Sequence, residues 1–318
     1  MQALTVATSP QLPAELAPVV DVAKQLMRQR HADATRRAYA ADVLAFRGWC
    51  DLAGLSALPA LPSTVALFLA DQSVKGKRPS TLMRRLAAIR YLHREAGHQS
   101  PTDDESVKAT LSGVRRTAGT APRQVAPATA ERVRAMLDAC GDSLQGKRDR
   151  ALLALGFGGA FRRSELVALN VDDLEDAEHG VRIHVRASKT DQEGAGQVVP
   201  VLDGARVRVK ALLRDWLDAA GITSGPVFRQ ITRSGRILDR LTDRSVANII
   251  KARAESAGMN PDQFSGHSLR AGFLTSAAAS GANLFKMMEV SRHRKVDTVR
   301  GYVRQAEAFK DHAGMAFM

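Results

Sequence analysis

The chain has 318 residues, two of them cysteine, so two domains are expected, each able to bury a core without disulfides. Its formal charge is +13, with Lys and Arg spread through both halves, and such a surface draws in a polyanion at long range. Aromatic residues are only 5% of the chain, which argues against a single-strand binder built on base-stacking platforms and leaves duplex DNA as the expected partner.

Residues 1–30 read as an N-terminal extension: Met1–Pro10 has no basic segment followed by an apolar run. No stretch approaches the ~20 apolar residues that cross a bilayer, so the expectation is a cytoplasmic protein with no membrane partner. From Asp33 to Gly54 the residues Tyr39, Val43, Phe46 and Cys50 fall at helical spacing, with Asp33 or Thr35 to cap the start and Gly54 to end it. A second helix follows Pro62, with Ser63 as its cap and Val65, Leu67, Phe68 and Leu69 along it. A third opens at Ser80, buries Leu82, Leu86 and Ile89, carries Arg84, Arg85, Arg90 and Arg94 on its other faces, and stops at Gly97. The acidic turn Asp103-Asp104-Glu105 opens a fourth, with Val107, Leu111 and Val114 on one side and Lys108, Arg115 and Arg116 elsewhere.

Between Thr117 and Thr129 the chain is mostly Ala, Gly, Pro and Thr with a single Arg, a composition that buries no core. The reading is therefore a helical domain over 31–117, a linker over 118–128, and a second domain over 129–318. In that domain helical patterns run over Thr129–Ala139 and Arg148–Leu169. Val181–Arg186 then alternates as a half-buried strand does, and Val198–Leu202 follows a Gly-containing loop to complete a hairpin. Helix dominates again from Asp203. Cys50 and Cys140 sit in apolar helical patterns and are expected as free, buried thiols in a reducing compartment.

Four short segments of the second domain carry chemistry-bearing residues. They are Gly159-Ala-Phe-Arg162-Arg-Ser-Glu165-Leu166, Ser188-Lys189-Thr190 at the hairpin tip, His267-Ser-Leu-Arg270, and His293 with Tyr302 nine residues on. Each alone is weak. Together, in this order and spacing, they resemble the tyrosine recombinases, or phage integrases, over nearly the whole chain. Thr35-Arg36-Arg37-Ala-Tyr-Ala-Ala-Asp and Pro79–Ile89 are similar to the helical DNA-binding domain of Cre-like and Xer-like members. Three positions depart from the family pattern: Ser291-Arg292-His293 stands where Leu-Gly-His is usual, and Phe161 where Leu is commoner.

The resemblance implies a mainly α fold: an all-helical, SAM-like N-terminal domain and an α-rich catalytic domain with a small antiparallel sheet, closing as a C-shaped clamp on DNA. Its chemistry is breakage and rejoining of DNA strands through a 3′-phosphotyrosine. Attack on phosphorus builds charge on the non-bridging oxygens, and two arginines with planar forks suit it. Those are Arg162 and Arg270, the family motif selecting Arg162 over its neighbour Arg163. Tyr302 is the implied nucleophile, and a phenol with a pKa near ~10 needs help to lose its proton. His267 is the implied base, Lys189 the donor to the departing 5′ oxygen, His293 a hydrogen-bonding partner of the phosphate, and Glu165 an orienting acid. Arg36, Arg37, Arg84, Arg85, Arg90, Arg94, Arg115 and Arg116 are the expected DNA contacts.

No metal or other cofactor is implied; zinc at His267 and His293 would want acidic or Cys ligands at metal spacing, and none is there. The expected partners are duplex DNA with inverted half-sites and further copies of the chain, two per site and four in a synapse, joined through the tail 305–318. Two other readings stay open: a relaxase or hairpin-forming resolvase using the same residues, and a DNA binder without catalysis.

Overall fold

The computed structural model describes residues 19–23, 26, 33–119, 125–186 and 196–306. The chain divides into two compact units, Met1–Arg123 and Gln124–Met318.

The first unit is helical: α1 (Asp33–Ala53), α2 (Pro62–Val74), α3 (Pro79–Glu95) and α4 (Glu105–Ala118), with a 3-10 turn at Pro101–Asp103. The cap expected at Ser63 and the helix start expected at Ser80 are displaced. Pro62 and Pro79 take the first helical turn, where a missing N–H costs nothing, and Leu61 and Arg78 become the N-caps. Asp104 caps α4, its carboxylate accepting from the Ser106 N–H at 2.8 Å. Phe46, Cys50, Phe68, Leu69, Leu82 and Ile89 form the core, with Phe46 and Phe68 edge to face. Buried among them, His93 accepts the Ala60 N–H at Nε2 and donates from Nδ1 to the Ile89 carbonyl, tying α3 to the segment before α2.

The second unit contains α5 (Ala130–Asp138), α6 (Leu144–Gly158), α7 (Arg163–Ala168), α8 (Val209–Ala220), α9 (Asp243–Ser256), α10 (Ser268–Ala279), α11 (Leu284–Ser291) and α12 (Val296–Ala306). Strands β1 (Leu174–Ala177), β2 (Gly180–Val185) and β3 (Gln197–Leu202) make an antiparallel sheet in that order. Val181, Ile183, Val185, Val199 and Val201 alternate onto its buried face. The expected hairpin is thus present, with β1 added beside it and a second pair, β4 (Arg229–Ile231) and β5 (Ile237–Arg240), further on.

Helix α6 runs through the middle of the core, with Ala151 to Leu155 fully buried. Gly272 on α10 allows the incoming chain to lie against that helix: a Cβ there would stand 1.7 Å from the Ala128 carbonyl oxygen. Ala128 N–H donates to the Ser268 carbonyl at 2.9 Å in the same place.

One expectation is corrected. Arg148–Leu169 is not a single helix but α6 and α7, separated at Gly159–Arg162. Ala160 in this break has φ +44°, a left-handed conformation that no helix continues through. Among the described residues, no helix is long and apolar enough to cross a membrane.

Candidate active site

The break between α6 and α7 makes Arg162 the N-cap of α7. Glu165, one turn on, reaches back so that Oε2 accepts the Arg162 N–H at 2.9 Å, while Oε1 accepts from the Arg162 guanidinium. This is the returning half of a capping box, closed by an acid at the third helical position. Arg270 lies in the first turn of α10 and is buried; its Nη1 donates to the Ala160 carbonyl at 2.7 Å, within the same break. The first and second boxes therefore meet at one backbone turn.

The third box arrives from α11. That helix ends at Ser291, and Arg292 takes the left-handed C-cap conformation, φ +56°. The turn carries His293 to within 3.4 Å of Arg270 Nη2 at its Nε2. Ser291 Oγ donates to the Met287 carbonyl at 2.6 Å and so accepts from His293 Nδ1 at 2.8 Å. Hydrogen bonding to Ser291 thus assigns the proton to Nδ1, and Arg270 Nη2 lies against the edge of the ring, 3.3 Å from Nδ1 and 3.4 Å from Nε2, of which Nε2 is free to accept. Helix α12 then presents Tyr302, half-buried against a cluster of Leu274, Ala278, Met287 and Val299 drawn from α10, α11 and α12.

Arg292 was not among the residues selected by spacing, yet it completes the site. It is 6% exposed, and its Nη2 donates to Glu165 Oε2 at 2.8 Å. The departure from Leu-Gly-His was the available signal: glycine is the ordinary occupant of a left-handed C-cap, and an arginine there marks something that holds it.

The electrostatics follow from this packing. Burial alone would raise the Glu165 carboxyl; Arg292, then the N–H and guanidinium of Arg162, outweigh it and hold its pKa below the ordinary value. Burial, then Arg270, Arg162 and Arg292, push His293 down to about 4, so the imidazole is neutral at pH 7. Burial raises the Tyr302 phenol, and the charge of Arg270 partly opposes it. The arrangement gathers fixed cations beside a neutral imidazole, which suits a phosphodiester whose non-bridging oxygens gain charge, while the phenol keeps its proton until a base removes it.

Of the seven residues expected to act, Arg162 bonds Glu165 and Arg270 bonds His293, the two pairs being linked through Arg292 and the Ala160 carbonyl, and Tyr302 stands within the field of Arg270. His267 is the exposed N-cap residue of α10, one turn before Arg270. Lys189 lies outside the described residues.

In the first unit, Arg36, Arg37, Arg94, Arg115 and Arg116 are exposed. Arg84 pairs with Asp42 at 3.1 Å. Arg85 is tucked inward, bonded to Gln72 and lying over the Phe68 ring. Arg90 bonds Thr102 and Asp103, at 2.9 and 2.6 Å.

The family model of the phage integrase family matches residues 128–308, and that of the phage integrase N-terminal SAM-like domain matches residues 23–100. The chain is 39% identical over 298 residues to an integrase/recombinase XerD homologue of Selenomonas ruminantium, covering 92% of this chain and 87% of that one. It is 24% identical over 314 residues to recombinase Cre of Escherichia phage P1, covering 91% and 90%. In fold it is similar to XerH recombinase bound to palindromic difH substrate after cleavage, at TM-score 0.65 and 18% identity over 89% of this chain and 80% of that one. A lambda integrase dimer bound to a COC′ core site gives TM-score 0.61 at 16% identity over 89% and 93%.

Proposed function

The chain belongs to the phage integrase family, and from that premise we propose that Tyr302 is the nucleophile with which it cuts and rejoins DNA at specific sites. It is a tyrosine recombinase, and its partner is DNA. The observation that carries the assignment of residues is the convergence of Arg162, Arg270 and His293, from three separate helix ends, beside the helix that bears Tyr302.

Arg162 and Arg270 hold the non-bridging oxygens of the scissile phosphate, with His293 beside them. The Tyr302 oxygen attacks phosphorus, its proton passing to His267, and the bond to the 5′ oxygen breaks as Lys189 protonates it. The products are a 3′-phosphotyrosine and a free 5′ hydroxyl. Attack by a 5′ hydroxyl of the partner strand reverses these steps and releases Tyr302. One phosphoester replaces another throughout, so neither a nucleotide nor a metal is needed to drive the exchange.

Residues 31–117 serve as the DNA-binding domain, 118–128 as the linker, and 129–318 as the catalytic domain. Arg36, Arg37, Arg94, Arg115 and Arg116, exposed on α1, α3 and α4, meet phosphates, and Arg84, Arg85 and Arg90 would do so only by exchanging their internal partners. Two protomers occupy inverted half-sites and four make the synapse, linked through residues 305–318.

The test is covalent trapping. The protein is incubated, without magnesium, with nicked duplexes carrying DNA from beside its gene, and denaturation-resistant complexes are sought. Wild type should give a covalent band and Tyr302→Phe none while binding the same duplex. A band that persists in Tyr302→Phe removes Tyr302 from its role.

A further inference from the structure

Arg292 adopts a conformation in which glycine is at home, and nothing about the α11 C-cap itself requires an arginine. What retains it is the far side of the site. Its Nη1 donates to the carbonyls of Gly159 at 3.0 Å and Val290 at 2.7 Å. Its Nη2 donates to the Ala160 carbonyl at 3.1 Å and to Glu165 Oε2 at 2.8 Å. The guanidinium lies over the Phe161 ring, 4.8 Å from the centroid. Two of the departures from the family pattern, Arg292 and Phe161, are therefore in contact with each other.

We propose that Arg292 is a positioning residue for strand cleavage: it neutralises and fixes Glu165, leaving the charge of Arg162 for the scissile phosphate, and it sets where His293 enters the site. This rests on the recombinase reading.

Glu165 is the only carboxylate bonded in this cluster among the described residues, and it serves two arginines. With Arg292 removed, Arg162 would be its sole counter-ion, and a fork committed to a buried carboxylate is a poor clamp for a phosphate. The other charges nearby do not substitute. Arg270 points to the Ala160 carbonyl and to His293. Arg163 turns away to Asp243 of α9, at 3.2 Å. The Ala160 carbonyl accepts from Arg270 and Arg292 together, so Arg292 also fixes the spacing between the first and second boxes.

The test uses the full chain with Arg292→Gly, Arg292→Lys, Glu165→Gln and the Arg292→Gly/Glu165→Gln double variant. Binding and single-turnover covalent complex formation are measured on a nicked duplex that traps wild type, and melting temperatures are measured without DNA. Arg292→Gly should slow covalent complex formation about 30-fold or more while affinity stays within about threefold, since the interaction acts on the transition state and not on docking. Arg292→Lys, which keeps the charge and loses the fork, should recover part of that rate. In the Glu165→Gln background the same Arg292→Gly change should cost at least about threefold less than in wild type, because the carboxylate it neutralises is gone while its bonds to the Gly159, Val290 and Ala160 carbonyls are still lost. Equal losses in both backgrounds overturn the proposal. The melting temperatures form an independent cycle: the losses from Arg292→Gly and Glu165→Gln should be non-additive, and additive losses overturn the pairing whether or not the protein cuts DNA. Failure of wild type to trap on any duplex would instead count against the recombinase reading, with the melting cycle still deciding the pairing.

Discussion

His293 shows how strongly the surroundings of this site act on one side chain. Its pKa of about 4 lies below the ordinary histidine value near ~6.5, so the folded protein resists its protonation and the unfolded chain does not. The sign follows: its contribution to stability is fully present above ~6.5 and is lost as pH falls toward 4. His93, neutral and buried in the first unit, is shifted in the same direction by burial. Melting curves between pH 7 and 4 should therefore fall steadily, and His293→Asn should flatten the fall; an unchanged slope would mean that His293 is not held neutral. Its place in the cluster was legible from its position nine residues before Tyr302, as were those of Arg162 and Arg270 from their boxes. The charge that acts on Glu165 was not, because Arg292 lies 127 residues away and meets it only through the fold.

Helices α6 and α9 are joined by a charge cluster that no periodicity reveals. Asp149, buried in α6, accepts from Arg148 at 2.7 Å on one oxygen and from Arg253 of α9 at 2.9 Å on the other. Removing the carboxylate leaves guanidinium groups packed with no counter-charge, so Asp149→Asn should destabilise the protein by roughly 3–5 kcal/mol in urea unfolding. Gly272→Ala should cost roughly 1–3 kcal/mol by the same measurement, since the new methyl meets a backbone carbonyl that cannot turn aside. A neutral result for either would show that the packing around it yields. The helices with a one-sided apolar pattern were readable in the sequence, α1 and α3 most plainly. The break after Gly158 was not, because the apolar residues of α6 and α7 continue one pattern across it while the chain turns at Ala160. Strand β1, Leu-Glu-Asp-Ala, has no β-branched residue and exists by pairing with β2; β4 and β5 are short and their register is irregular.

Charge is a property of the molecule as a whole, and Lys and Arg outnumber Asp and Glu in both units. Binding to the site duplex should consequently weaken steeply with salt, by about 10³-fold or more between 50 and 200 mM for a footprint of six or more phosphates. Titrations at several salt concentrations would measure the slope, and a flat profile would contradict phosphate contact by both units. Removing residues 307–318 should leave occupancy of a single half-site intact and reduce assembly of the second protomer, read as the ratio of the two shifted bands in a gel. The basic surface was readable from composition, whereas which arginines are already committed internally depended on three-dimensional neighbours such as Asp42 and Gln72. The bond from Arg292 to the Gly159 carbonyl spans 133 residues of sequence. Segments of this enzyme are therefore not freely interchangeable with those of relatives that carry glycine before the third-box histidine. A chimera that takes α11, α12 and the turn between them from such a relative would leave Glu165 with Arg162 as its one counter-ion, and a relative that receives them would gain an arginine without the Phe161 ring to lie against. Functional hybrids should be found when residues 159–165 and 291–293 are exchanged as one set.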